Sequence, residues 1–552
     1  MKTRIIAVLF LLSNLLAQQR VYPERWVYVS NDLSTEKRLE QFRQIAETAA
    51  AHGLTAIMFS SAFDRIDLQT PDYIQRLKQA RDICRQHGLE LIPAVFYTGY
   101  GSGILAHDKN LAEGLLAKDA LFVVSGNEAH FTPEVSTSFT NGGFEKHEAG
   151  HPSGYLPGVK ASIDTQVFHT GRASLRLEGF GEKADDSAHI VQEISVRPYR
   201  QYRLSCWVKT EAVKPTVYFG IHVSTDDGRS LHPWEPRLSG TTDWRLLVSG
   251  FNSGNSAKLR LDIGVFEAQK GTIGKVWIDD VNVEEVGLLN VIRRAGTPLV
   301  VRDEKTGTVY QEGRDYAEIT DPNLNFRWNH DCPTIRLLAD SRIRDGARLR
   351  VSYYHGTTIY ESQVTICLSE PKVYQIWQDQ IRIVHELLKP RKYMMSMDEL
   401  RMGGSCETCK RRGLSMAQIV GDATTRQFQM IRSLDPQAEI FVWSDMYDPN
   451  HNARPKYYLV EGDLTGSWQY IPKDLRMVCW YFEKRRASLD FFSKLKFKTL
   501  AGAYYDGDNL DNVRGWLEAL DHTPGAIGIM YTTWQNKYQL LSAFGDLVSK
   551  PR

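Results

Sequence analysis

The feature that most constrains the fold is an alternation of strand and helix patterns that stops after three strands and resumes later with five more. In the first block, two helix patterns end at Gly53 and Gly88, and each is followed directly by an apolar strand pattern. Short connections of this kind join parallel strands through helices. The eight strand patterns cover residues 25–30, 55–59, 89–95, 393–397, 439–443, 476–480, 499–505 and 526–531. A count of eight favours an α/β fold of the closed (β/α)8 TIM barrel type over a doubly wound sheet.

A long insertion separates the two blocks of the alternation. From residue 136 to residue 286 helical periodicity is absent, and short alternating runs separated by turn residues predict a β-sandwich. Residues 287–370 carry further strand patterns and predict a small second β-domain. The barrel is therefore expected in two parts, residues 18–135 and 371–552, interrupted after its third strand. Because the insertion follows a strand, we expect the sandwich to border the face of the barrel on which active sites lie.

The predicted sandwich carries three motifs that resemble one family. They are Asn-Gly-Gly-Phe-Glu at residues 141–145, Gly-x-x-Ser-Leu-Arg-Leu at residues 171–177 and Trp-x-Asp-Asp-Val at residues 277–281. Together they resemble the carbohydrate-binding modules of the family 4/9/22 type. The resemblance implies glycan binding and a structural calcium ion, for which Glu145 and Asp280 are the candidate ligands.

The first seventeen residues have the layout of a signal peptide. Lys2 and Arg4 form a short basic stretch, residues 5–17 are almost wholly apolar, and small or polar residues follow. The run is shorter than the roughly 20 residues that a membrane-spanning helix needs. We therefore expect a secreted or periplasmic protein with no membrane partner once the signal is cleaved. The chain has 67 basic and 66 acidic residues, and this balance gives no reason to expect a nucleic-acid partner.

Polar and aromatic residues follow the predicted strands of the second block at their carboxyl ends. In a TIM barrel these positions meet on one rim and carry the catalytic groups. Asp398 and Glu399 follow the fourth strand and are the predicted catalytic residues. The predicted substrate-binding residues are Trp443, Asp445, Tyr447, Trp480, Tyr504, Tyr505, Asp506 and Trp534. Carboxylates among aromatic side chains are typical of glycoside hydrolysis, although an Asp-Glu pair after a strand also suits an ordinary helix N-terminus.

Three segments of the second block resemble the family 20 hexosaminidases and their relatives. They are Met397-Asp398-Glu399, residues 441–446 (Phe-Val-Trp-Ser-Asp-Met) and the late Trp534. The resemblance implies an exo-acting β-N-acetylhexosaminidase that retains configuration through attack by the substrate's own 2-acetamido group. It makes Glu399 the acid/base and Asp398 the group that orients the acetamide. Tyr504 or Tyr505 would then donate to the acetamide oxygen, while Trp443, Trp480 and Trp534 wall the pocket, and catalysis needs no cofactor.

Two other functions fit the same residues. The first is a β-glycosidase of another specificity, in which Glu399 is the acid and Asp445 or Asp506 the nucleophile or base. The second is a non-catalytic carbohydrate-binding protein whose barrel is a scaffold for the sandwich.

Cys406 and Cys409 form a Cys-x-x-Cys pair soon after the predicted acid. A zinc site normally needs four ligands, and the sequence contains no second pair of this kind. A disulfide, either between these two cysteines or with a distant one, is therefore the favoured interpretation, and zinc or unpaired thiols are the alternatives. A disulfide here would hold the loop that carries Glu399.

Overall fold

The structure is a computed structural model that describes residues 21–134, 137–234, 236–360 and 362–551. The predicted signal peptide at residues 1–17 lies outside these ranges. In them, no α-helix is long and apolar enough to cross a membrane.

Eight parallel strands form the closed barrel that the alternation predicts. In barrel order they are Glu24–Ser30, Ala56–Ser60, Glu90–Val95, Lys392–Met395, Glu439–Trp443, Arg476–Cys479, Lys498–Tyr504 and Ala526–Thr532. The last strand pairs with the first, with Met530 opposite Trp26. The strands are short and apolar, as expected for parallel strands with both faces covered. The predicted number, order and parallel direction of the barrel strands are confirmed.

Most connections between barrel strands contain an α-helix. The helices are Glu36–Ala51, Pro71–Gln86, Pro371–Leu388, Met416–Leu434, Arg485–Lys494, Asp511–Asp521 and Leu541–Val548, with two short ones at Ser102–Leu105 and Glu407–Arg411. Hydroxyl side chains of Thr35, Thr70 and Ser415 cap three of them by accepting a backbone N–H bond. Within the described residues, the connection from Trp443 to Arg476 has 3-10 turns and no α-helix. The full (β/α)8 classification therefore stays a prediction.

The described chain folds into two compact units. The first comprises the described residues up to Ser61 together with Thr70–Ile92 and the segment from Arg476 onward. It contains the first, second, sixth, seventh and eighth barrel strands. The second unit comprises Ala62–Gln69 and Pro93–Leu475, and it contains the fourth and fifth barrel strands and both inserted β-structures.

The sandwich is built around one long strand, Gln201–Thr225. The first half of this strand pairs with Ile273–Val286 and Arg237–Asn252, and its second half pairs with Lys258–Ala268 and Ser230–Trp234. The remaining strands are Leu156–Val159, Ala161–Asp164, Ser174–Glu178 and Asp186–Ser195. Alternating residues such as Leu204, Cys206 and Val208 are buried, which gives the period of two that the sequence shows.

The second β-domain includes a segment that we expected in the barrel. Its sheet contains Leu115–Ser125, Glu128–Phe131, Val300–Asp303, Val309–Tyr310, Ile335–Arg336 and Arg348–His355. The predicted boundary at residue 135 is therefore too late, because Leu115–Ser125 pairs with Arg348–His355 and not with a barrel strand. The sandwich is thus inserted within the second β-domain, which is itself inserted in the barrel. A pairing between strands more than 220 residues apart leaves no local signal in the sequence.

Candidate active site

The backbone around Asp398 and Glu399 is held by the loop that follows the third barrel strand. The Ser396 N–H donates to Val95 O at 2.8 Å, and the Thr98 N–H donates to Ser396 O at 3.2 Å. At Gly99, an added Cβ would lie 2.4 Å from Asp398 O, so only glycine allows this close approach. Glu399 has a φ of +50°, a left-handed conformation that is strained for a non-glycine residue and that the surrounding structure must impose.

The Glu399 carboxylate is bound on both of its oxygens. Tyr100 donates its hydroxyl to Oε2 at 2.5 Å, and the Arg401 guanidinium pairs with Oε1 at 2.8 Å. The Glu399 side chain keeps 19% of its surface exposed, whereas Arg401 keeps 8%. The site therefore presents a carboxylate of fixed orientation that solvent can reach, in an ion pair with a buried cation.

Arg401 is itself fixed by neighbours from two other segments of the chain. It donates to Gln363 Oε1 at 2.6 Å, and its guanidinium lies 4.8 Å from the Tyr360 ring centroid and 5.3 Å from that of Tyr458. Gln363 also donates to Glu399 O at 2.7 Å. Cation–π contacts and charge-assisted hydrogen bonds together keep the cation in place without exposing it.

Asp445 binds the backbone of the loop that carries Asp398 and Glu399. This fully buried residue accepts hydrogen bonds on Oδ2 from the Glu399 N–H and from Asn452 Nδ2, both at 2.8 Å. Burial raises the pKa of Asp398 well above its usual range, and the negative charges of Asp445 and Glu399 add to this effect. Two adjacent carboxyl groups thus have different environments, since Asp398 favours the protonated form and Glu399 is ion-paired with Arg401.

The other predicted substrate contacts near the fifth strand lie beneath the surface. Trp443 and Tyr447 are buried, as is Asp445, and the Tyr447 hydroxyl lies 2.6 Å from Thr424 Oγ1. These three side chains therefore do not form an exposed surface, and Asp445 among them binds the Glu399 N–H. Their position after a strand led to the prediction that they contact substrate. Whether such a side chain is exposed or buried depends on tertiary packing, which the sequence pattern does not show.

Sequence reasoning did not single out Tyr100, Gln363 or Arg401. Arg401 had a weak signal, because it lies two positions after Glu399 in Asp-Glu-Leu-Arg. Tyr100 follows the third strand in the same way that Glu399 follows the fourth, and a search of all strand ends would have found it. Gln363 comes from the end of the insertion, where no sequence pattern points to the site.

The remaining predicted residues belong to the first compact unit and form an aromatic group there. Tyr505 is 47% exposed and Trp534 is 44% exposed. The ring centroid of Tyr505 lies 6.3 Å from that of Trp480 at an interplanar angle of 8°, and 6.3 Å from that of Trp534 at 76°. Tyr504 is buried and stacks on Tyr531 at 4.1 Å. Exposed aromatic faces at the ends of barrel strands are suited to stacking on the C–H faces of a sugar ring.

Asp506 holds the loop that carries Trp534. Its carboxylate accepts hydrogen bonds from Thr533 Oγ1 at 2.5 Å, from the Trp534 N–H at 2.8 Å and from the Gln535 N–H at 3.3 Å. Residues Tyr504, Tyr505 and Asp506 all have positive φ values, between 58° and 82°. Both carboxylate oxygens of Asp506 are therefore used to fix a strained aromatic loop.

Cys406 and Cys409 are free thiols in this structure, so the predicted disulfide is not present. Both lie beside Cys367, with Sγ–Sγ distances of 3.5 Å and 3.7 Å. The carboxylate of Glu113 completes the group, and all four side chains are buried. The sequence showed only the local pair, because Cys367 and Glu113 are about 40 and about 290 residues away along the chain.

The predicted calcium ligands lie close together in the sandwich and hold a loop there. Glu145 Oε1 accepts from the Arg172 N–H at 2.8 Å, and Asp280 Oδ2 lies 2.7 Å from His169 Nδ1. Burial and the neighbouring charge of Asp280 raise the pKa of Asp279 to about 6. The groups that already donate hydrogen bonds to Glu145 and Asp280 would compete with a bound ion. The calcium site stays a prediction.

The inserted sandwich contacts a loop next to Arg401. Arg229 donates to Tyr458 O at 2.6 Å and to Val460 O at 2.8 Å, while Lys456 pairs with Asp227 at 2.9 Å. Because the Tyr458 ring stacks on Arg401, the sandwich hairpin and the Glu399 ion pair are separated by one residue. In the second unit the sandwich therefore borders the candidate site.

Comparison with known proteins identifies one part of the chain. Residues 136–267 match the family model of a carbohydrate binding domain. This match confirms the resemblance of the sandwich to carbohydrate-binding modules.

One curated relative and two solved structures have weaker likenesses. A tRNA(Glu)-specific nuclease, WapA, of Bacillus subtilis subsp. natto (strain BEST195) is 24% identical over 196 residues, which cover 33% of this chain and 8% of that protein. A rhamnosidase of Novosphingobium sp. PP1Y has a TM-score of 0.29 and 11% identity, over 94% of this chain and 55% of that one. A β-N-acetylhexosaminidase of Bacteroides fragilis NCTC 9343 has a TM-score of 0.25 and 11% identity, over 33% of this chain and 40% of that one. TM-scores this low carry no argument about the present chain, and the chain spans only a small part of the curated relative.

Proposed function

We propose that this chain is an exported glycoside hydrolase in which Asp398 and Glu399 supply the acid and the base. The observation that carries the proposal is the contrast between two adjacent carboxyl groups at one strand end. Asp398 has a raised pKa, and Glu399 forms an ion pair with Arg401 and accepts a hydrogen bond from Tyr100. Glycosidic cleavage needs one group of each kind, a protonated acid for the leaving oxygen and an ionised group for the sugar or a water molecule.

The contacts favour a definite division of roles between the two carboxyl groups. Asp398 is the proton donor, because its surroundings favour the neutral form that can donate. Glu399 is the ionised partner, because an ion pair and a phenolic hydrogen bond stabilise its charge. Asp445 acts through its hydrogen bond to the Glu399 N–H and is a positioning residue.

The family resemblance gives a second assignment with a different substrate requirement. In that assignment Glu399 donates the proton and Asp398 orients a 2-acetamido group that attacks the anomeric carbon. The substrate would then be an N-acetylhexosaminide. The sequence segment Met397-Asp398-Glu399 favours this alternative, and the ion pair of Glu399 favours the first.

The two assignments differ in how each variant depends on the leaving group. Removal of a proton donor costs about 10²- to 10⁴-fold with a poor leaving group and much less with an activated one, which leaves without protonation. We expect Asp398→Asn to retain activity on dinitrophenyl glycosides and to lose it on unactivated disaccharides, whereas Glu399→Gln loses both. The reverse pattern, together with hydrolysis restricted to 2-acetamido sugars, would support the hexosaminidase assignment. If neither variant changes turnover of any glycoside that the wild type hydrolyses, the proposal is wrong.

Glycan binding by the sandwich is a second candidate function, and the match of residues 136–267 supports it. One sheet of the sandwich carries three partly exposed aromatic rings in a row, with Phe266 stacked 5.4 Å from His189 and 4.4 Å from His222. Affinity electrophoresis of the full chain in gels containing soluble polysaccharides tests this function. We expect retarded migration in at least one gel for the wild type and weaker retardation for Phe266→Ala. Full retardation of the variant would place binding elsewhere.

A further inference from the structure

Three cysteines and one glutamate from three distant segments meet in the interior of the second unit. Glu113 precedes the strand Leu115–Ser125, and Cys367 precedes the helix Pro371–Leu388. Cys406 directly precedes the short helix Glu407–Arg411, and Cys409 lies within it. One ligand atom from each of the four residues lies within 4.8 Å of the others, and all four are buried. Among the described residues this is the one group of three or more potential ligands at such distances.

The spacing of the ligand atoms matches the edges of a tetrahedral zinc site. With Zn–S bonds of about 2.3 Å and Zn–O bonds of about 2.1 Å, a tetrahedron has S–S edges of about 3.8 Å and S–O edges of about 3.6 Å. The Sγ of Cys367 lies 3.5 Å from that of Cys406 and 3.7 Å from that of Cys409. Cys409 Sγ lies 3.5 Å from Glu113 Oε2. A disulfide requires an S–S distance of about 2.05 Å, and these distances are far longer.

Glu113 is oriented as a ligand by its other oxygen. Oε1 accepts from the Ser405 N–H at 3.1 Å, from Ser405 Oγ at 3.1 Å and from the Cys406 N–H at 2.8 Å. These donors leave Oε2 directed at the thiols. Carboxylates that bind a metal are themselves oriented by hydrogen bonds from neighbouring groups. The bonds to Oε1 of Glu113 have this character.

We propose that Glu113, Cys367, Cys406 and Cys409 bind one structural zinc ion. Three sulfur ligands select a thiophilic ion over calcium or magnesium, which take oxygen ligands. The Cys-x-x-Cys spacing of Cys406 and Cys409 is typical of zinc knuckles. The buried guanidinium of Arg294 interacts electrostatically with Glu113, Cys367 and Cys406, and it offsets part of the negative charge that three thiolates and a carboxylate leave on the site.

The zinc ion would fix the loop that follows the candidate catalytic pair. Cys406 lies five residues after Arg401, and the intervening Met402–Gly403 pairs with Leu459–Val460. The same ion would tie this loop to Cys367, at the end of the insertion, and to Glu113, near its beginning. This site stands whether or not the chain hydrolyses glycosides.

The test is the metal content of the purified full chain. Inductively coupled plasma mass spectrometry should find about one zinc per chain in the wild type, and far less in Cys406→Ser and Cys409→Ser. Cys84→Ser, which changes a buried cysteine in the helix Pro71–Gln86, is the matched control and should keep its zinc. Glu113→Gln keeps the shape of the side chain and should bind zinc more weakly in competition with a chelator.

A second measurement uses only wild-type protein, so that the test still decides the question if the cysteine variants fail to fold. Wild-type protein stripped of zinc and given cobalt(II) should show the visible bands of tetrahedral cobalt and a near-ultraviolet thiolate charge-transfer band. Alkylation of Cys406 and Cys409 should proceed only after chelation. Wild-type protein that holds less than about a tenth of an equivalent of zinc and gives no cobalt–thiolate bands would overturn the proposal. A disulfide between any two of the three cysteines, found by non-reducing peptide mapping, would overturn it equally.

Discussion

Acidification should destabilise the inserted β-structures through one buried histidine. His355 ends the strand Arg348–His355 and is fully buried, with Nε2 lying 2.9 Å from Asn252 Nδ2. The orientation of the Asn252 amide is fixed, because Gly254 donates to its Oδ1 at 2.8 Å and its Nδ2 donates to Leu116 O. Nε2 of His355 is therefore an acceptor, and Nδ1 carries the proton that is donated to Gly356 O. A second proton on the ring would face the amide donor of Asn252.

The size of the effect follows from the pKa of His355. Burial lowers this pKa from 6.5 to about 4. The folded state therefore keeps His355 neutral where the unfolded chain is protonated, so its stabilising contribution is complete above pH 6.5 and is lost as the pH falls toward 4. The full difference of about 2.5 pH units corresponds to about 3.4 kcal/mol, of which about 2 kcal/mol is already lost at pH 5.

The assay compares the wild type with His355→Gln, whose side-chain oxygen can accept from Asn252 but does not titrate. Urea unfolding, followed by hydrogen-exchange mass spectrometry of peptides that cover the strand Arg348–His355, gives the free energy of unfolding of this region at pH 7.5 and pH 5. We expect the difference between the two pH values to be smaller in the variant by about 2 kcal/mol. His147→Gln, at an exposed histidine, should leave the difference unchanged. An identical pH dependence in wild type and His355→Gln would refute the reasoning.

Three further predictions concern the candidate sites. Asp445→Asn keeps an oxygen that can accept from the Glu399 N–H, and it removes a negative charge that raises the pKa of Asp398. The alkaline limb of the profile of kcat/KM against pH should therefore move to lower pH by about one unit. An unchanged limb would mean that Asp398 is not the titrating acid. Tyr505→Ala should weaken the binding of soluble oligosaccharides to the full chain about tenfold, measured by isothermal titration calorimetry, because it removes an exposed stacking face. Tyr470→Ala, at another exposed tyrosine, should leave the affinity unchanged, and equal effects of the two variants would exclude the aromatic group as a sugar contact. Millimolar CaCl2 should raise the melting temperature of the wild type more than that of Glu145→Gln, as followed by scanning calorimetry, and an absence of any calcium effect on the wild type would contradict the predicted ion.

Local patterns in the sequence were sufficient to predict the barrel strands and the position of the candidate pair Asp398 and Glu399. Each barrel strand is a short apolar run, and each run depends only on neighbouring residues, so eight strands could be counted without knowledge of their partners. The position of Asp398 and Glu399 after the fourth strand follows from the same count. The sequence also predicted the sandwich, because its strands show an alternation of buried and exposed residues. Three motifs in this segment resemble those of carbohydrate-binding modules.

Only the tertiary structure decided which distant residues act together. The strand Leu115–Ser125 finds its partner more than 220 residues later, so no local signal could assign it to the second β-domain. Tyr100 and Arg401 bind the Glu399 carboxylate and fix its orientation, and Cys367 and Glu113 join the Cys-x-x-Cys pair in a group of four potential ligands. Residue type and periodicity report whether a side chain is buried or on a strand, whereas electrostatic pairing and metal coordination depend on distances of a few ångströms, which the folded chain alone fixes.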